Sequence, residues 1–265
     1  MFLSTGLMER LSYPVSLVER RLGRALLMAT SVVCLASTPA CVSSAGARGE
    51  VAASAEGSRP SEIADAPKPR IVDYQPGIRI NFAVPQVEVE GEVILRKGEL
   101  ELFAYAKAPT PKEHESVLLL RSRPESIYHA LGLIGLKPGH PVSYDWQTQT
   151  ITPAAGDAVD VLVRYELEGE EIEASACEWM WDLNRRRPMA RQHWLFAGST
   201  RMEDGQFFAD IDGTVVTVVN FDSALLALPE LHSESDSSLW LAANSDAIPA
   251  IGTPVTLILR PVEKE

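Results

Sequence analysis

The chain has 265 residues, 46% hydrophobic and 23% charged, which is close to the globular average and excludes a wholly disordered, collagen-like or multi-span membrane protein. Lys and Arg number 24 against 36 Asp and Glu, a net charge of −12, so a phosphate backbone meets repulsion and nucleic acid is not an expected partner. Three cysteines, Cys34, Cys41 and Cys177, are too few for a disulfide framework.

Residues 1–40 read as a signal peptide. Arg20, Arg21 and Arg24 form a basic region ahead of the apolar run Ala25 to Ala36, which is shorter than the roughly 20 residues a bilayer-spanning helix needs. The run breaks at Ser37-Thr38-Pro39-Ala40-Cys41. A small residue before a cysteine at this place resembles a bacterial lipobox, so Cys41 is the expected lipidation site, with simple cleavage after Ala40 or Ala45 as the alternative. Removing residues 1–40 takes away four arginines and two glutamates, so the exported part keeps 20 basic against 34 acidic side chains. Residues 41–70 are small, polar and rich in Pro, Gly and Ser with no periodic apolar face, and predict a disordered tether reaching on the order of 30 Å. Residues 71–265 remain as one globular domain.

In that domain strand signals dominate. Val87 to Glu90 alternates with period two, Glu92 to Leu95 and Leu100 to Ala106 flank a four-residue turn that suits a hairpin, and Val117 to Leu120 is continuously apolar. A helix follows: Pro124 suits its first position, Ile127, Ala130, Leu131 and Ile134 share one face, and Lys137-Pro138-Gly139 ends it. Ala158 to Leu167 and Glu170 to Met180 read as strands joined across Glu168-Gly169, and His193 to Gly198 as another. Asp212-Gly213 predicts a hairpin between Phe207–Asp210 and Val215–Val219. Ser223 to Leu228 reads as a second, short helix and Pro254 to Leu259 as the last strand. The expected fold class is therefore α+β, a β-rich single domain with one clear amphipathic helix and one short second helix.

The densest ionisable cluster is Glu113-His114-Glu115-Ser116. On a strand the two glutamates face away from the histidine. In a turn the three side chains can converge on a divalent metal, whereas a solvated, charged strand entry is the plainer reading. Ser199 with His193 offers a serine nucleophile without the strand-turn-helix elbow that would expose it, and satisfying turn backbone explains it better. Asp210 with Asp212 is an acid pair that the hairpin turn already explains. Trp179 and Trp181 alternate with Met180, and Cys177 shares their side of a regular strand. Such a set is core, or, if exposed, a sugar- or peptide-binding platform. Arg185-Arg186-Arg187 is a basic run in an acidic chain, a solvated turn or a contact for an anionic envelope polymer or lipid headgroup.

Glu99 to Gly139, with Lys112-Glu113-His114-Glu115-Ser116 between two strands and a helix ending in Leu136-Lys137-Pro138-Gly139, resembles the YdjY-domain family of bacterial envelope proteins. The later segments Trp194 to Ser199 and Ile248 to Val255 carry the same resemblance. The family's "ferredoxin-like" label implies an iron-sulfur cluster, but Cys177 is the only cysteine in the globular part and one thiolate cannot hold a cluster that takes four, so no iron-sulfur cluster is expected. The reading that results is an exported, lipid-anchored module that binds a cell-envelope component or small ligand and touches the membrane only through its anchor. Glu113, His114, Glu115, Ser116, Trp179 and Trp181 are its candidate binding residues. The alternatives are a metal-assisted hydrolase using Glu113, His114 and Glu115, and a purely structural envelope protein.

Overall fold

A computed structural model describes residues 70–263 apart from 110, 234, 236 and 237. The leader, the tether and Cys41 lie outside the described residues. In chain order the strands are β1 (Ile71–Gln75), β2 (Ile78–Asn81), β3 (Gln86–Val93), β4 (Leu102–Ala106) and β5 (Ser116–Leu120), followed by helix α1 (Pro124–Leu133). Then come β6 (Pro138–His140), β7 (Ser143–Asp145), β8 (Thr150–Thr152), β9 (Ala155–Gly156), β10 (Ala158–Leu167) and β11 (Glu170–Ser175). A short 3-10 turn (Ala176–Trp179) leads into β12 (Met180–Asp182), β13 (Arg187–Pro188) and β14 (Trp194–Phe196). Helix α2 (Phe208–Asp212), β15 (Thr214–Thr217), β16 (Leu226–Ala227), β17 (Leu241–Ala243) and β18 (Pro254–Pro261) complete the order.

The strands close on themselves. Pairing runs β3-β18-β10-β14-β16-β15-β4-β5 and returns from β5 to β3, which makes an eight-stranded barrel. β1 and β2 extend it beside the first half of β3, and β11 extends it beside the second half of β10. The fold is thus a β-barrel and not the α+β domain with a clear amphipathic helix expected from the sequence. Strand edges exposed by an open sheet invite pairing with other chains, and closure removes most of them here.

Period-two alternation fills the interior. Val89, Leu257 and Val163 stand opposite one another across β3, β18 and β10, as do Val87, Leu259 and Val161, and all six belong to one buried cluster. α1 adds Pro124, Ile127, Ala130 and Leu131 as its buried residues. A ten-residue helix is marginal in isolation, so tertiary packing of this face stabilises it, each buried aliphatic side chain being worth about 2 kcal/mol.

Three local expectations are corrected. β3 does not form a hairpin with β4: β5, apolar on both faces, inserts between them, antiparallel to β3 and parallel to β4. Phe208–Asp212 is a helical turn whose C-cap, Gly213, sits at φ 79°, so Asp212-Gly213 stops a helix where a hairpin was expected. Ser223 to Leu228 is not helical; its Leu226–Ala227 is the strand that bridges β14 and β15. The β10–β11 hairpin does form, with Glu168 and Gly169 both at positive φ (55° and 85°). Among the described residues no helix is long and apolar enough to cross a membrane.

Candidate functional site

The stretch between α1 and β10 makes two small sheets outside the barrel wall, β6 with β9 and β7 with β8. β7 and β8 pair Tyr144 with Ile151, and Asp145 closes the connecting turn by accepting the backbone N–H groups of Gln147 (2.8 Å) and Thr148 (3.3 Å). A hydrogen bond from the Thr148 side chain, and then these two backbone bonds, hold the Asp145 carboxyl below its ordinary value. Trp146, on this turn, is 79% exposed and meets the Tyr144 ring edge to face with centroids 4.3 Å apart.

Opposite lies the loop after β15. Val142, Ser143, Tyr144, Trp146 and Ile151 on one side and Asn220, Phe221 and Asp222 on the other line a groove of about 520 Å³. The loop is held by reciprocal contacts with His232, whose N–H donates to the Asn220 side-chain oxygen (3.2 Å) and whose carbonyl accepts the Asn220 N–H (2.9 Å). Exposed rings gathered on a monomer surface mark a contact site more often than isolated exposed side chains do. Aromatic walls with a few polar groups are the usual make-up of small-molecule sites.

The Glu113-His114-Glu115 turn adjoins this loop. Lys112 places its ammonium 4.7 Å from the centroid of the Phe221 ring and 3.2 Å from the Glu115 carboxylate. His114 Nε2 lies 3.4 Å from the other Glu115 oxygen, with its side chain 77% exposed. Glu113 instead accepts the Tyr105 hydroxyl at 3.4 Å. Burial of that phenol first, and the Glu113 charge beside it, push it above its ordinary value. Glu115 and His114 are thus brought together, and Glu113 is turned to a different partner. Among the described residues no three His, Cys, Asp or Glu side chains are arranged to hold a metal ion. Ser116 begins β5, and its Oγ is buried with no hydrogen-bond partner among the described residues.

Trp179 and Trp181, read from the sequence as core or, if exposed, as a platform, are split between two environments. Trp179 is 1% exposed and packs against Tyr165 (5.3 Å) and Phe103 (6.3 Å), while Trp181 on β12 is half-buried. A 3-10 turn breaks the expected strand, and Cys177 and Trp179 on it both lie in the core. Burial raises the Cys177 thiol above its ordinary value, the reverse of what an activated nucleophile requires.

Ser199 Oγ accepts the Ala209 N–H (3.0 Å) at the start of α2, and His193 pairs with Asp160 (2.6 Å). Serine and histidine therefore serve separate contacts. Asp210 and Asp212 also diverge: Asp210 binds Arg123 and the Glu125 N–H, while Asp212 accepts the Ser223 hydroxyl at 2.7 Å. Arg185 is tied to the buried Asp182 at 2.8 Å, and with Arg187, Glu230, His232 and Trp240 it lines a separate cavity of about 280 Å³.

The sequence segments that carry the family resemblance meet in space. A Cβ on Gly198 would lie 2.7 Å from the Pro138 Cβ and 3.4 Å from Tyr128, so Leu136-Lys137-Pro138-Gly139 and the Trp194–Ser199 segment are packed without room for a side chain between them. The YdjY domain family model matches residues 78–260, which is most of the chain. The chain belongs to the YdjY-domain family. No curated protein matches the chain, and neither does any solved structure. The matched region contains both walls of the groove. YdjY domains are uncharacterised, so membership by itself assigns no chemistry, and function must be argued from the site.

Tyr144, Trp146 and Phe221 are absent from the candidates read from the sequence. A signal for the first two exists: Pro141 to Pro153 is a proline-bounded stretch with Tyr144, Trp146 and Ile151 among polar residues, a composition that suits a hairpin with one sticky face. Phe221 is far along the chain, and nothing local connects it to them.

Proposed function

We propose that this YdjY domain is an exported, lipid-anchored module without catalytic activity that binds a cell-envelope ligand in the Tyr144–Trp146 groove. The observation that carries the binding role is the 79% exposed indole of Trp146, braced by Tyr144 and facing Phe221 across the groove. A ring held in place before the ligand arrives loses little freedom on binding, which favours affinity. The non-catalytic part is supported by the side chains that could have reacted. Ser199 caps α2, His193 is held by Asp160, and Glu113 is turned toward Tyr105. Export and anchoring are supported by the basic and apolar run ahead of Cys41 and by the spacer-like composition of residues 42–70.

Thermal unfolding of the full chain against a panel of oligosaccharides, short peptides and divalent metal ions tests this reading. At least one organic ligand is expected to raise the midpoint of the wild type by mass action and to leave Trp146→Ala unmoved. A shift produced only by a metal ion and abolished by Glu115→Gln would replace the reading with a metal-dependent one.

A further inference from the structure

Building on the binding role of this groove, we infer that its ligand is a carbohydrate, taken as a neutral pyranose stacked on Trp146. A pyranose presents one flat face of C–H groups and a rim of hydroxyls, so it is recognised by a flat apolar ring with hydrogen-bonding groups around its edge. The groove supplies both.

The platform comes first. Trp146 is exposed over most of its surface, and the perpendicular Tyr144 ring contacts it without covering it. Interplanar angles of this kind (75° here) pair the positive edge of one ring with the negative face of the other, which fixes the indole's orientation. Ile151, 50% exposed and directly across the hairpin from Tyr144, extends the apolar floor.

The rim is polar and lacks cations. Ser143, Asn220 and Asp222 line the groove beside the rings, and among the described residues no Lys, Arg or His does. Asn220 commits its side-chain oxygen to the His232 N–H, which orients the amide and leaves its N–H donors for another acceptor. The Asp222 carboxylate makes no hydrogen bond or ion pair among the described residues, although its backbone carbonyl accepts from Thr200 (3.2 Å). A donor amide and an acceptor carboxylate two positions apart on one loop suit vicinal hydroxyls, each of which donates and accepts.

Charge narrows the ligand further. The ammonium of Lys112 is already engaged by Glu115 and by the far wall's Phe221, so it offers no free positive charge. With Asp222 on the rim and a chain charge of −12, a phosphorylated or sulfated ligand would meet repulsion. A peptide anchored by apolar side chains needs enclosed pockets to desolvate them, whereas these walls are flat rings at the surface. The combination leaves an uncharged, flat, hydroxyl-rich ligand.

The test is titration of the full chain with chitotriose, cellotriose and maltotriose, read by tryptophan emission and by calorimetry, with an uncharged apolar tripeptide as the competitor class. At least one trisaccharide is expected to bind. Trp146→Ala is expected to weaken it tenfold or more, Trp146→Phe to retain most of the affinity, and Asp222→Asn to weaken it several-fold. Because Trp146 is so exposed, the alanine variant is expected to unfold at the wild-type temperature. Binding of the tripeptide alone, lost in Trp146→Ala, would overturn the carbohydrate assignment while keeping the groove as a binding site. Binding of neither class would overturn both.

Discussion

Asp210 accepts the backbone N–H of Glu125 at 2.9 Å, so the short helix α2 caps the N-terminus of α1 from 85 residues away. The same carboxylate receives the Arg123 guanidinium, and Glu125 in turn receives Arg201 at 2.7 Å. α1 has no side-chain cap of its own at Arg123, so Asp210 supplies from a distance what a Ser or Asp at that position supplies locally. Asp210 is thus a tertiary cap.

Asp210→Ala is therefore expected to lower stability by about 1 to 2 kcal/mol, the usual cost of a lost N-cap. Asp210→Asn, which keeps an acceptor but not the charge, is expected to fall between the two. Chemical denaturation of the three proteins with an unchanged slope checks this.

Gly156 sits at φ 150° with Phe196 so close that a Cβ would fall 2.1 Å from its backbone carbonyl oxygen. Backbone cannot yield as a flexible side chain can. Gly156→Ala is expected to cost about 3 kcal/mol or more and to reduce the yield of folded protein. Gly169→Ala, at a turn with open space around the new methyl and φ 85°, is expected to cost less, the backbone strain alone. Comparing their melting midpoints separates steric from conformational effects.

His232 stacks on Trp240 with ring centroids 4.1 Å apart, and burial lowers its pKa, against the smaller raising influence of Glu230 and Asp182. A folded-state pKa below the unfolded one means that the unfolded chain binds more protons. The contribution of His232 to stability is then present above about pH 6.5 and lost as pH falls through that value toward the folded pKa. Titrating stability from pH 8 to 5 in wild type and His232→Gln checks the sign: the variant should lose this part of the slope.

The anchoring part of the proposal has its own test. Cys41→Ser is expected to move the exported chain from the membrane fraction to the soluble one. Recovery of both proteins in the soluble fraction would leave a secreted module in place of an anchored one.

What the sequence made legible was local. The alternation in Val87–Glu90 and the apolar run at Val117–Leu120 lie in strands, Pro124 starts a helix, and Glu168-Gly169 turns a hairpin, because each depends on residues within a few positions. Closure was not legible. The pairing of Gly91 with Leu120, and of Leu195 with Ala227, joins distant segments whose short strands carry almost no propensity of their own. Leu226–Ala227 reads as helix by composition and becomes strand because the barrel needs a strand there. The groove was not legible for a related reason. Trp179 and Trp181 share a face on an unbroken strand, which reads as core or, if exposed, as a platform; Trp179 is core, and the 3-10 turn that Ser175 caps through the Cys177 N–H separates it from the half-buried Trp181. Trp146 looks like a turn residue, and only the distant loop at Phe221 makes a groove of it.

If ligand binds between Trp146 and Phe221, the Trp146 indole N–H resonance shifts during titration with the best ligand of the panel. This resonance and the Asn220 side-chain amide are expected to move most and saturate together, with the Trp179 indole unmoved. Movement centred on the Glu113–Glu115 turn or on the Arg185–Trp240 cavity, with Trp146 unchanged, would contradict it.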